Sequence, residues 1–214
     1  MPGSPPRPAA SPPPFQPATP VVIGIVGGIA AGKSTVAALF AARGLHHVDA
    51  DAHARAVAAE PRIVQEIARR WPAAMHGTTV DRAALARIVF ADPEQKRALE
   101  ALLHPEIRAR LLAEVSASRQ AGTSVLLDVP LLFENGLVAV CDHVVFVHAD
   151  PAVRAERAAR RGWPPEELAR REAAQLPLAE KAARASHRID NDGDLAATTR
   201  QVDALLATLQ SAGR

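Results

Sequence analysis

The octapeptide Gly27-Gly28-Ile29-Ala30-Ala31-Gly32-Lys33-Ser34 fits G-x-x-x-x-G-K-[ST], and it restricts the fold of this chain more than any other feature. Glycines at that spacing let the backbone curl until successive N–H groups point into one concavity suited to phosphate oxygens. A helix that follows adds its unsatisfied N-terminal donors and its dipole. The pattern therefore needs a buried strand before it and an amphipathic helix after it. Val21-Val22-Ile23-Gly24-Ile25-Val26 is a continuous apolar run, rich in β-branched residues, of the kind buried on both faces of a parallel sheet. From about Lys33 to Arg43, Val36, Leu39 and Phe40 share one helix face, and Gly44 supplies the stop. In this setting Lys33 reaches the β- and γ-phosphates of a nucleotide as a mobile cation, and the Ser34 hydroxyl can ligand Mg²⁺. A dinucleotide-binding G-x-G-x-x-G is absent, because Gly24 and Gly27 are wrongly spaced.

Downstream, a short strand through His47-Val48 leads into Asp49-Ala50-Asp51. The stretch from Pro61 to Gln120 reads as helical and strand-free. Asp81 caps one helix, Asp92-Pro93 opens a second, and His104-Pro105 begins a third that stops near Gly122. Strand-type runs return at Ser124 to Val129, His143 to His148 and His187 to Asp190, with helical segments between and after them. Strands alternating with helices indicate a parallel sheet covered on both faces. The fold class expected is α/β, a P-loop kinase-type core over 21–60 and 123–214. The helical block over about 61–122 reads as an insertion forming a subdomain, and an Arg-rich lid spans about 151–185.

Of 18 prolines, nine fall within residues 1–20, a stretch expected to form a disordered arm outside the fold. It lacks the apolar segment of a signal peptide, and no run in the chain is long enough to span a membrane. One cysteine, Cys141, excludes an intrachain disulfide and fits a reducing, cytoplasmic setting. A net charge of +2, aromatics at 3% and no Tyr argue against nucleic-acid binding. The histidines offer no metal spacing with Cys or carboxylate, so no structural metal is expected.

Ligands of open parallel sheets bind outside the carboxyl ends of the strands. Asp49 and Asp51, read as ending the second strand, are placed there. One is expected to cap the next helix and the other to take a proton from an acceptor hydroxyl. Asp128, ending Val125-Leu126-Leu127, reads equally as a Walker B acid positioning Mg²⁺ through water or as a turn aspartate before Pro130. Arg154, Arg157 and Arg161 share a helix face (i, i+3, i+7), and Arg160 adds to the cluster. Singly each is an ordinary solvated arginine. As a group beside Gly162-Trp163-Pro164-Pro165, they suit a hinged lid over a triphosphate.

Together these segments resemble dephospho-CoA kinases. The resemblance is carried by the loop, by Val48-Asp49-Ala50-Asp51, by Leu102-Leu103-His104-Pro105 and by Asp128-Val129-Pro130-Leu131-Leu132-Phe133-Glu134. Arg157, Arg161, Gln175 and Ile189-Asp190-Asn191 extend it to the C-terminal part. It implies ATP and Mg²⁺ as cofactors and phosphorylation of the ribose 3′-hydroxyl of dephospho-CoA, the last step of coenzyme A synthesis. It implies nucleotide binding by Gly28, Ile29, Ala30, Ala31, Gly32, Lys33, Ser34 and Thr35, with Arg157 and Asn191. Asp51 matches the catalytic base and Arg161 the lid arginine, and both act with Lys33. His104, Pro130, Leu131 and Glu134, with Asp51, match the acceptor pocket, and Ser34 and Asp128 the metal site. Dephospho-CoA is the partner expected, with the chain a monomer or weak homo-oligomer. Ala30-Ala31 stand where the family usually has Gly-Ser, a change that spares the backbone donors if both residues keep φ below zero.

Another small-molecule kinase is the nearest rival, disfavoured by the His104-Pro105 and Pro130-to-Glu134 segments. A regulatory GTPase needs an N-K-x-D motif, which does not occur. A nucleotide-binding module without catalysis would bind ATP and phosphorylate no acceptor.

Overall fold

The computed structural model describes residues 14–212. Among these the strands, in chain order, are β1 (Val22–Gly27), β2 (His46–Asp49), β3 (Met75–His76), β4 (Thr79–Val80), β5 (Val125–Asp128), β6 (His143–His148) and β7 (His187–Asp190). The α-helices are α1 (Lys33–Ala41), α2 (Ala50–Ala58), α3 (Pro61–Arg70), α4 (Arg82–Ala91), α5 (Pro93–Gln120), α6 (Pro151–Arg160), α7 (Pro165–Ala173), α8 (Leu178–Arg184) and α9 (Leu195–Ala212). None of them is long and apolar enough to cross a membrane.

Five strands form one parallel sheet in the order β2-β5-β1-β6-β7, which puts β1 at the centre. Every residue of β1 is buried. Its alternate side chains serve two cores. Ile23 and Ile25 join Val36, Phe40, Val202 and Leu206 on the face covered by α1 and α9. Val22 and Val26 join Leu111, Val115, Phe133 and Phe146 on the face covered by α5. The parallel register sets Ile25 beside Asp128, Asp128 beside Asp49, and Gly27 beside Val147. The carboxyl ends of four strands therefore meet along one edge, where β1 gives way to the phosphate loop.

A third core, built on Val57, Ile63, Ile67, Trp71, Leu85 and Val89, holds the block between β2 and β5 together. Local chemistry starts its helices. The Asp81 carboxylate accepts from Ala83 and Ala84 N–H at 2.9 and 3.0 Å, and Asp92 accepts from Glu94 N–H at 2.8 Å ahead of Pro93 at the first helical position.

The block departs from expectation in two ways. It is not strand-free, since β3 and β4 pair antiparallel across Gly77, which turns with φ 60°. Nor does His104-Pro105 begin a helix, because α5 runs unbroken through Pro105. Proline cannot donate to the Ala101 carbonyl, a local loss. Apolar anchoring on both sides outweighs it: Leu99, Leu102 and Leu103 pack into the third core, while Leu111 and Val115 pack under the sheet.

The expected N-terminal arm also needs correction at its end. Residues 1–13 lie outside the described residues, but Phe15 is buried in the α1/α9 core and its N–H donates to the Arg43 carbonyl at 2.7 Å.

Candidate active site

The phosphate loop joins β1 to α1, and its shape follows from its small residues. Gly32 caps α1 with φ 90°, and Asn191 packs so closely that a Cβ on Gly32 would lie 2.1 Å from its amide nitrogen. Only glycine satisfies both demands. The N–H groups of Gly32, Lys33 and Ser34 take no hydrogen-bond partner among the described residues. They form the donor set that anions occupy at helix N-termini.

On one side of the loop a cavity of about 360 Å³ is lined by Ala30, Gly32, Ser34, Thr35, Arg157, Arg161 and Asn191. Arg157 and Asn191, expected to bind nucleotide, also hold the loop itself. Both donate to the Ala31 carbonyl, at 3.1 and 2.8 Å respectively. Arg161 makes no ion pair and no side-chain hydrogen bond among the described residues, and its guanidinium lies 5.9 Å from the Trp163 ring. Arg154 behaves differently. It is buried, ion-paired with Glu172 and donates to the Ala149 carbonyl at 3.2 Å, so it ties α6 to α7 instead of sharing a solvated face with Arg157 and Arg161.

On the other side lies a second cavity of about 520 Å³, lined by Asp51, His104, Pro130 and Leu131 with Ile107, Arg108, Leu111 and Asn135. Asp49 takes the capping role expected of one of the two aspartates, and Asp51 does not extend the strand. It sits in the first turn of α2, exposed, with its N–H capped by the Asp49 carboxylate at 2.8 Å. Glu134 does not line this cavity. Its carboxylate accepts from Leu176 N–H at 2.9 Å and lies 3.9 Å from the Lys181 ammonium.

Lys33, largely buried, feels charges from residues of both cavities, Asp51 of one and Arg161 of the other. Burial, first, and then the nearby positive charges of Lys181 and Arg161 hold its ammonium below the usual lysine range, while Asp128 and Asp51 pull it back up. Asp128 is held above the usual carboxylate range by burial, with His47 3.6 Å away. Lys181 is fully buried and donates to the Gln175 side chain at 2.8 Å. Burial, foremost, pushes the Cys141 thiol up to about 12, which leaves it inert at neutral pH. Three cations and two carboxylates thus converge beside a nest of free amides, a site built to receive a polyphosphate.

The family model for dephospho-CoA kinase matches residues 21–197. The chain belongs to the dephospho-CoA kinase family. It is 45% identical over 202 residues to the Deinococcus radiodurans dephospho-CoA kinase, covering 94% of this chain and 98% of that one. A solved Thermus thermophilus structure superposes with a TM-score of 0.76 at 43% identity, covering 89% of this chain and 98% of its own. A Campylobacter jejuni dephospho-CoA kinase shares the fold at 22% identity, with a TM-score of 0.71 and coverage of 90% and 98%.

Against the family's usual Gly-Ser, the condition for a harmless Ala30-Ala31 fails at one position. Ala30 has φ 60°, in the left-handed region. The loop keeps its shape there at a steric cost that glycine would avoid. Sequence reasoning about the dephospho-CoA kinase site also missed Lys181 and Arg108. Lys181 sits in an alanine-rich, partly charged helix that reads as solvated, and Arg108 only joins the second cavity because α5 passes through Pro105. His148, Asp190 and Asp192 bring ligand atoms within 4.8 Å of one another, a grouping their spacing hid. Asp190 is held by Arg188, and Asp192 accepts the Asp150 N–H.

Proposed function

We propose that the chain transfers the γ-phosphoryl group of ATP to the ribose 3′-hydroxyl of dephospho-CoA, giving coenzyme A and ADP. The observation that carries this reading is the position of Asp51, which lines the acceptor cavity and lies close enough to act on the charge of Lys33 across the loop. The triphosphate lies against the amides of Gly32, Lys33 and Ser34, with its base and ribose toward Thr35, Arg157 and Asn191. Lys33 follows the charge on the β- and γ-phosphates. Asp51 accepts the proton of the 3′-hydroxyl as that oxygen bonds to the γ-phosphorus, and the bond from phosphorus to the bridging oxygen breaks with its electron pair leaving on ADP. Arg161, free of competing partners, neutralises charge on the group in transit.

The second cavity suits an acceptor with an apolar arm and a charged diphosphate. Leu131, Ile107 and Leu111 offer apolar walls, and Arg108, fixed by donation to the Asn135 carbonyl at 2.8 Å, offers a cation. His104 and Pro130 complete its outline. Glu134 contributes indirectly, by tying the loop of Leu131 to Leu176 ahead of α8.

Magnesium fits the residues present, because Ser34 and Asp128 are hard oxygen donors and Asp128 is a desolvated carboxylate with no Lys or Arg ion pair among the described residues. These two residues would hold it, and its charge would offset that of the β- and γ-phosphates. The single cysteine suits a reducing, cytoplasmic setting.

Asp51→Asn tests this reading. The variant keeps the shape but cannot take the proton, so turnover should fall by roughly a hundredfold or more while the Kd for ATP stays within about twofold of wild type. Near-normal turnover would remove Asp51 from the role of base.

A further inference from the structure

The Ala31 carbonyl is held by two side chains from outside the phosphate loop, and the group that aims one of them is a residue outside the loop and outside both cavities. A trans peptide fixes the C=O of one residue antiparallel to the N–H of the next. Pinning the Ala31 oxygen toward Asn191 and Arg157 therefore points the Gly32 N–H the opposite way, toward the place read as that of the phosphates. The pin is the Asn191 amide nitrogen at 2.8 Å, helped by Arg157 at 3.1 Å. Arg157 also donates to the Asn191 carbonyl at 2.7 Å, and the Asn191 N–H donates to the His148 carbonyl at 2.9 Å, which locks the backbone of Asn191 to β6. What remains free is rotation of its carboxamide. A flipped amide would set oxygen against the Ala31 carbonyl oxygen and push the loop away.

Thr198, in the second turn of α9, opposes that flip. It is completely buried, and its hydroxyl lies 3.0 Å from the Asn191 side-chain oxygen and 3.3 Å from the Asp194 carbonyl. Donated along the shorter contact, its proton holds the amide oxygen on the α9 side and leaves the nitrogen for Ala31. The left-handed Ala30 makes the clamp more consequential, because the loop has a strained residue one position before the pinned carbonyl.

We propose that Thr198 is a positioning residue for ATP binding: through Asn191 and the Ala31 carbonyl it sets the direction of the Gly32 amide. This rests on reading the loop as the ATP site, and Thr198 itself touches no substrate.

The test uses the full-length protein with Thr198→Val, which keeps the shape and removes the hydroxyl, and Thr198→Ser, which restores it. The Kd for ATP is measured by calorimetry, and KM for both substrates by turnover. Thr198→Val should weaken ATP by roughly tenfold with the KM for dephospho-CoA unchanged, and Thr198→Ser should bring ATP binding back to within about twofold of wild type. Equal, wild-type-like ATP affinity in both variants overturns the proposal, as does a loss for Thr198→Val that affects both substrates alike. If Thr198→Val folds poorly, Asn191→Asp asks the same question without altering α9, since it keeps the size and loses the donor to Ala31. ATP affinity like wild type in that variant is equally fatal. Failure of the wild-type protein to bind ATP would instead overturn the reading of the loop, and the proposal with it.

Discussion

The carboxylate of Asp49 accepts the backbone N–H of Asp51 at 2.8 Å, so the residue that caps α2 also fixes where the carboxylate lining the second cavity stands. Loss of an N-cap costs about 1 kcal/mol. Asp49→Ala should therefore lower the melting midpoint and, by loosening the first turn of α2, cut kcat by roughly tenfold with little change in the KM for ATP. Steady-state kinetics beside a thermal melt separate the two effects. A variant with reduced stability and full kcat would show that Asp51 does not need this cap.

Ala30 pays for its left-handed backbone with a clash that glycine lacks. Ala30→Gly should raise stability by about 1 kcal/mol in denaturant melts while leaving the affinity for ATP intact or better. Ala30→Val, with a branched side chain at the same φ, should do the reverse. A loss of stability in the glycine variant would contradict the strain.

Asp128 sits under its burden of burial without an Arg or Lys ion pair among the described residues. Its carboxyl is raised above its ordinary value, so between that value and the raised one the folded protein keeps a proton the unfolded chain releases. Stability falls as pH rises through that window. Asp128→Asn should then melt about 2 °C or more higher than wild type at pH 7, the gap shrinking toward acid pH, even as kcat drops by tenfold or more. A lower midpoint at pH 7 would show that the carboxylate stabilises the resting protein.

Lys33 is lowered by burial first and by Lys181 and Arg161 after it. Activity needs its ammonium, so kcat/KM for ATP should decline as pH rises through its lowered pKa. Lys181→Met removes one repelling charge and should move that alkaline limb to higher pH, whatever it does to the maximum rate. Methionine fills the buried space without a charge, so the variant should fold. A limb that stays in place would mean the two lysines do not act on each other.

Where local pattern and long-range packing agree, the sequence was readable. The phosphate loop, the five parallel strands and an aspartate cap at the start of α2 all follow from runs of a few residues. What escaped depended on distance in the chain. Pro105 reads as a helix start, yet apolar anchoring on both sides carries α5 through it. Arg154 carries the same local signature as Arg157 and Arg161, but Glu172, 18 positions later, takes it into the interior. Phe15 lies among prolines that suggest no fold at all, and only the α1/α9 core gives it a place. Glu134 falls in a stretch that marks the acceptor pocket, although its carboxylate faces Leu176 and Lys181.

The central claim is that a phosphoryl group crosses from the loop side of Lys33 to a hydroxyl beside Asp51. Incubating the purified chain with ATP, Mg²⁺ and an equimolar mixture of dephospho-CoA, gluconate and shikimate, then identifying products by mass spectrometry and phosphorus NMR, tests it directly. The account predicts coenzyme A with the new phosphate on the ribose 3′-oxygen, formed one for one with ADP, and the other two acceptors untouched. ADP without a phosphorylated acceptor, or phosphate on gluconate or shikimate in place of dephospho-CoA, would contradict it.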